Sequence, residues 1–203
     1  MYQKPIQVGM VLFRGFELLD VTGPLDILGY LPEAFVISLI GPDLQPIASA
    51  QGVSILPTTT MSKAPRVDLL MVPGGLGTRQ LVNDEAFIDW LGAYGSGAPL
   101  VASICTGAAL LARAHLLDGY RATTNKRAMA WVKDQAPTVV FEPNARWVVD
   151  RDRWTSSGVA AGMDMTLALV AQYLGETQAR EVASAIEYQW SDDPDHDPFA
   201  NAN

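Results

Sequence analysis

The sequence predicts an α/β fold whose mostly parallel sheet is covered by helices on both faces. Two observations carry this. Short, solidly apolar runs such as "IQVGMVLF" and "DLLMV" read as strands buried on both sides. Helix-forming segments alternate with them, so successive strands connect by crossovers. A chain of 203 residues, 49% of them hydrophobic, buries a sizeable core as a single domain over 1–203, and no repeat or linker divides it.

Ile6 to Phe13 is the first strand. "VTGPLDILGYL" is then a short helix, with Thr22 as its cap and Pro24 in its first turn. Phe35 to Gly41 is the second strand, followed by a hairpin around Gln51-Gly52. "VDLLMV" is the third strand and ends in the glycine turn Pro73-Gly74-Gly75; a helix follows from about Asn83 to Tyr94. "APLVASIC" is the fourth strand and "TGAALLARAHLL" its helix. After "DGYRATTN", which turns into a short strand, come the helical "RAMAWVKDQ" and the strand "TVVFEP". A hairpin turns at Asp150-Arg151-Asp152, and "AGMDMTLALVAQYL" and "ETQAREVASAIEYQW" are the closing helices. The acidic tail 191–203 is expected to be irregular and solvated, or packed on a partner subunit.

Charge and composition narrow the partners. A net charge of −8 argues against an electrostatic grip on nucleic acid or anionic lipid. One cysteine makes no intrachain disulfide, which fits a reducing compartment. The first residues lack a secretory layout, and no apolar run approaches the roughly 18 residues of a membrane helix. The expectation is a cytoplasmic protein with no membrane or nucleic-acid partner. The tail is too short to hold a helix-turn-helix unit.

In open parallel sheets the site lies outside the carboxyl ends of the strands. Three features sit there: Asp20, Gly74-Gly75 and Cys105. "SICTG" joins a buried strand to a helix and resembles a nucleophile elbow in its logic, with Ser103 in place of the first glycine. Small neighbours Gly107 and Ala108 relieve the crowding. The helix N-terminus behind Cys105 favours a thiolate, so a lowered pKa is expected. A packed core cysteine is the competing reading. Neither histidine suits the role of base: His115 lies roughly 15 Å along the following helix, and His196 lies in the tail. Asp20 serves either as a helix cap or as an acid/base group beside the thiol; Glu17 competes for the acid role.

"PGGLG" is a partial dinucleotide motif only, because Gln80 occupies the place of the third glycine. The better reading is a turn whose Gly75 N–H acts beside that of Thr106 as an oxyanion donor. "DDPDHDP" lacks the glycine and spacing of a calcium loop, so no metal is expected. "NKR" (Asn125 to Arg127) reads as a surface charge pair rather than an anion site.

In this order, Asp20, "PGG" and "SICTG" resemble the DJ-1/PfpI superfamily over nearly the whole chain. "LLDVTGP" with an Asp, "CTG" without a following histidine, and "GVAAGMD" are most similar to its isocyanide hydratase branch. Where many relatives carry a histidine or another polar site residue after "ATT", this chain has Asn125. The resemblance implies a flavodoxin-like three-layer sandwich and a homodimer. It also implies Cys105 as nucleophile, Asp20 as acid/base, and Thr106 and Gly75 lining the site. No cofactor is required. The substrate is expected to be a small isocyanide, hydrated to an N-substituted formamide, with Val159, Ala160 and Ala161 as pocket wall or as core. The alternatives are glyoxalase-type activity on 2-oxoaldehydes, and a cysteine-based redox sensor.

Overall fold

The structure is a computed structural model and describes residues 4–200. The first half runs β1 (Ile6–Val11), α1 (Leu18–Gly29), β2 (Phe35–Gly41), β3 (Ile47–Ala48), β4 (Ser54–Ile55), β5 (Thr59–Thr60), β6 (Leu69–Val72), α2 (Thr78–Leu81) and α3 (Glu85–Ser96). The second half runs β7 (Leu100–Ile104), α4 (Gly107–Arg113), β8 (Arg121–Ala122), α5 (Met129–Gln135), β9 (Val140–Phe141), β10 (Trp147–Asp150), β11 (Arg153–Ser156), α6 (Ala161–Leu174) and α7 (Glu176–Ala185).

Seven strands form the central sheet in the order β10-β11-β7-β6-β1-β2-β5. All neighbours are parallel except the β10–β11 hairpin. The four residues of β6 are fully buried, as a central parallel strand requires. From β1 the chain winds outward to β2, then restarts on the other side at β6. Right-handed crossovers therefore put α1 and α3 on opposite faces. α6 packs on α1 and α7, while α4 packs against α2, α3 and α5. The result is the flavodoxin-like three-layer sandwich. The winding reverses between β1 and β6, and a crevice opens at their carboxyl ends.

Several boundaries differ from the sequence expectation, each for a local reason. α1 begins at Leu18, not Thr22: Glu17 is the extended N-cap residue, and the Thr22 hydroxyl donates back to the Leu18 carbonyl at 3.0 Å. Asp20 thus sits in the first helical turn, where a carboxylate complements the helix dipole. Pro24 lies inside the helix and supplies no N–H to the Asp20 carbonyl. α4 stops at Arg113, and His115 adopts φ +58°. α7 stops at Ala185, short of the expected Trp190, and Glu187 turns the chain at φ +51°. "TVVFEP" contributes only Val140–Phe141.

The tail is irregular and mostly exposed, and it is pinned at one point, where Asp197 is buried. The Pro194 carbonyl accepts the Arg146 N–H at 2.7 Å, and the Asp197 N–H donates to the Asn144 carbonyl at 2.8 Å. Arg146 is buried between two carboxylates, with Asp164 at 2.6 Å and Asp197 at 3.5 Å. Lys126 is not a surface residue. Its ammonium group donates to Thr123 Oγ1 at 2.8 Å and to the Ala145 carbonyl, and lies 3.7 Å from Asp197. Asp164 also accepts from the Tyr188 hydroxyl and the Ser191 N–H, both at 3.0 Å, which is why the chain leaves α7 early. Burial, and then the Asp164 charge, push the Tyr188 phenol up to about 12.

Candidate active site

Cys105 follows β7 and precedes α4 with φ +56°, a conformation that costs a non-glycine residue of order 1–3 kcal/mol. Its surroundings hold it there. Its N–H donates to the Ser157 carbonyl at 3.3 Å, and its carbonyl accepts from the Thr124 hydroxyl at 2.7 Å. Two glycines permit the crowding. A Cβ on Gly107 would run into the Val72 carbonyl, and one on Gly74 would meet the Thr106 N at 2.5 Å. The sharp turn lifts the thiol toward the crevice while leaving Cys105 only 5% exposed.

Under the thiol lies Asp20, fully buried. Its Oδ2 accepts the Gly74 N–H at 2.8 Å, and its Oδ1 has no conventional hydrogen-bond partner among the described residues. The carboxyl group and the thiol lie close enough for each to shift the other's titration. The Thr106 N–H and hydroxyl and the Asn125 side chain also face the sulfur. Asn125 Oδ1 accepts the Ala128 N–H at 3.1 Å, which fixes the amide flip and leaves Nδ2 for the thiol. Asn125 is the site residue whose role sequence reasoning left unassigned. Its signal was the polar position following "ATT".

Both acids titrate upward. Burial raises the Asp20 carboxyl well above the ordinary range; the Gly74 N–H opposes this and the Glu17 charge adds to it. Burial also pushes the Cys105 thiol up, and the Asp20 charge adds to the rise. This overturns the expected lowered thiol pKa. The Thr106 N–H and Asn125 do favour the thiolate, but desolvation outweighs them. Two acids in contact share protons as a pair, so a thiolate forms here when its proton moves to Asp20 or onward to a bound substrate.

Gly75 has a different task from the one expected. Its N–H donates to Thr106 Oγ1 at 3.0 Å, so it orients Thr106 rather than facing the crevice. Thr78 Oγ1 lies 3.2 Å from the same hydroxyl. Gly75 has φ +122°, and a Cβ there would collide with the Glu17 N and the Gly15 carbonyl. Gly75→Ala is therefore expected to lose about 2 kcal/mol or more, read as a lower urea midpoint with unchanged slope. Glu17 stands at the rim, where its carboxylate accepts from Gln51 Nε2 at 2.8 Å. His115 is 82% exposed and bonded to Asp118, and His196 is exposed in the tail, so neither reaches the thiol.

Beside the thiol a groove of about 290 Å³ opens between Asn125, Gly158, Val159, Ala160 and Phe199, with Arg127 at its edge. A Cβ placed on Gly158 would stand 3.1 Å from the Cys105 sulfur and would overlap the Asn125 amide. Gly158 is thus the opening between groove and sulfur. Of the two readings open for Ala161, wall or core, the structure shows core: it is fully buried. Among the described residues no helix is long and apolar enough to cross a membrane.

A thiol on a strained strand-to-helix turn, with a buried carboxyl beneath it, places the molecule among α/β sandwich proteins with a cysteine elbow. The chain belongs to the DJ-1/PfpI family, whose model matches residues 6–172. It is 38% identical to isonitrile hydratase of Pseudomonas putida over 185 residues, covering 90% of this chain and 78% of that one. It is 31% identical to the HTH-type transcriptional regulator GbdR of Pseudomonas aeruginosa, covering 91% of this chain but only 50% of the regulator. Among solved structures, a ThiJ/PfpI family protein from Pseudomonas syringae superposes with a TM-score of 0.82 at 31% identity, covering 92% of this chain and 76% of that one. Drosophila melanogaster DJ-1beta shares the fold, with a TM-score of 0.80 at 21% identity over 92% of this chain and all of that one.

Proposed function

We propose that this chain hydrates small isocyanides to N-substituted formamides. The observation that carries the reading is the buried Asp20–Cys105 pair with no imidazole in reach. The 38% identity to isonitrile hydratase supports it. An isocyanide carbon carries a lone pair and accepts both a nucleophile and a proton. The Cys105 sulfur bonds to that carbon while the thiol proton passes through Asp20 to the same carbon, giving a thioimidate, R–N=CH–S–Cys. Water then adds to the thioimidate carbon as Asp20 takes its proton and passes it to the nitrogen, leaving on that carbon a hydroxyl whose proton goes to the sulfur. The C–S bond breaks, the sulfur regains a proton, and R–NH–CHO leaves. The net reaction consumes one water. The Thr106 N–H and the Asn125 amide steady the developing charge on sulfur.

The test mixes purified protein with alkyl isocyanides and follows the formyl proton by NMR. Formamide should appear, and Cys105→Ala should lower turnover at least about 10³-fold. No product from any of several isocyanides sinks the reading. A 2-oxoaldehyde activity on the same thiol would give lactate from methylglyoxal instead. The lack of a histidine beside Cys105 counts against it. A homodimer, implied by the family resemblance, and a cytoplasmic location, expected from the single cysteine and the composition, belong to the same proposal; light scattering on the eluted protein reads the first.

A further inference from the structure

A buried cluster of charges holds the irregular tail against the rim of the site. Burying Asp197, Arg146 and Lys126 carries a desolvation cost that their mutual attraction only partly offsets. Such an arrangement is weak as a source of stability, but it fixes position. What it positions is Phe199. The Phe199 N–H donates to Asp197 Oδ1 at 3.0 Å, and the Ala200 N–H donates to the Asp197 carbonyl at 3.0 Å. The carboxylate that Arg146 holds is therefore the anchor from which the aromatic side chain is presented. Phe199 remains 56% exposed, and its ring lines the groove with Val159 and Ala160. The far end of that groove is Gly158, which stands against the Cys105 sulfur.

We infer that the tail is part of the substrate site: Phe199, held by Asp197, forms an apolar wall that selects for the alkyl or aryl group on the substrate nitrogen. The inference rests on the isocyanide reading for its substrate class. An isocyanide is linear from its terminal carbon through nitrogen. With that carbon at the sulfur, its substituent projects past Gly158 into the groove. The walls there are mainly Val159, Ala160 and Phe199, with Lys126 and Arg127 also in the lining. An apolar ring or branched chain fits the side made by Val159, Ala160 and Phe199, while a cationic substituent would meet Lys126 and Arg127 and lose its hydration without a partner. Phe199 is a specificity-determining residue and Asp197 a positioning residue.

The experiment has two arms. In the first, Cys105 is alkylated with N-methylmaleimide and N-cyclohexylmaleimide, and each rate is divided by that for glutathione. Phe199→Ala should lower the cyclohexyl-to-methyl ratio about tenfold, roughly what an apolar face lost from one ring is worth. Phe199→Leu should restore most of it, and Asp197→Asn should lower it as Phe199→Ala does. In the second arm the same variants are compared for turnover of cyclohexyl against methyl isocyanide, where the loss should fall on KM rather than kcat. An unchanged ratio in Phe199→Ala, or a gain by the larger reagent, overturns the inference. If the first arm shows the loss but no isocyanide is turned over, the groove assignment stands and the hydratase reading falls. Phe199→Ala leaves the charge cluster intact, so it answers the question even if Asp197→Asn does not fold.

Discussion

Asp20→Asn is expected to lower turnover by at least about 10²-fold and, at neutral pH, to raise the melting temperature by several degrees. The two effects have one cause. The Asp20 carboxyl is buried, and burial raises its pKa well above the ordinary range. The folded state therefore holds this proton more tightly than the unfolded state does. Stability from that preference is complete below about pH 4, the unfolded carboxylate range, and is lost as pH rises toward the folded value. Asparagine has the same shape and no charge. Its carbonyl oxygen can accept the Gly74 N–H and its amide can face the sulfur, so the variant escapes the loss. Each unit of pKa rise corresponds to about 1.4 kcal/mol, and 1 kcal/mol moves the midpoint by about 2–4 °C at this size. Thermal melts from pH 3.5 to 8 should show the two proteins together at the acid end and diverging upward. Equal melting temperatures at pH 8 would place the carboxyl in water; unchanged turnover would remove Asp20 from the chemistry.

Arg146→Met should be the most damaging substitution away from the thiol, lowering stability by about 3–5 kcal/mol. It leaves Asp164 and Asp197 buried without their shared guanidinium. A drop of roughly 10 °C is expected. Adding Asp164→Asn to the same chain should recover part of the loss, because the second change removes one of the stranded charges. If the double variant were no more stable than Arg146→Met alone, the damage would come from lost packing rather than from unpaired charge.

The apolar runs announced the sheet because strands buried on both faces cannot be polar, and the helix Ala161–Leu174 keeps its expected bounds. The hairpins at Gln51-Gly52 and Asp150-Arg151-Asp152 were legible from their turn residues. The order of Asp20, the glycine turn and Cys105 anticipated that the fold gathers these three at the strand ends. What escaped depends on distance. The thiol pKa follows from how completely Asp20 and Cys105 are enclosed, and no local pattern reports enclosure. Asn125 meets the sulfur through the fold alone. The Arg146 cluster draws on Lys126, Asp164 and Asp197, three separate segments whose charges each look like solvated surface in sequence. The start of α1 was misread because Thr22 has a capping residue's chemistry but spends its hydroxyl on the preceding turn.

The elbow is held from the far end of the chain, since the carbonyl that accepts the Cys105 N–H belongs to Ser157, just past β11. A ribosome must deliver the β10–β11 hairpin before the turn can close. Until then the sulfur is an ordinary, water-exposed thiol of pKa near 8.5, and a larger fraction of it is thiolate at neutral pH than in the finished protein. The nascent chain is thus more open to oxidants and electrophiles than the mature one. Folding here quiets the sulfur in general while making it available to a molecule that can accept its proton.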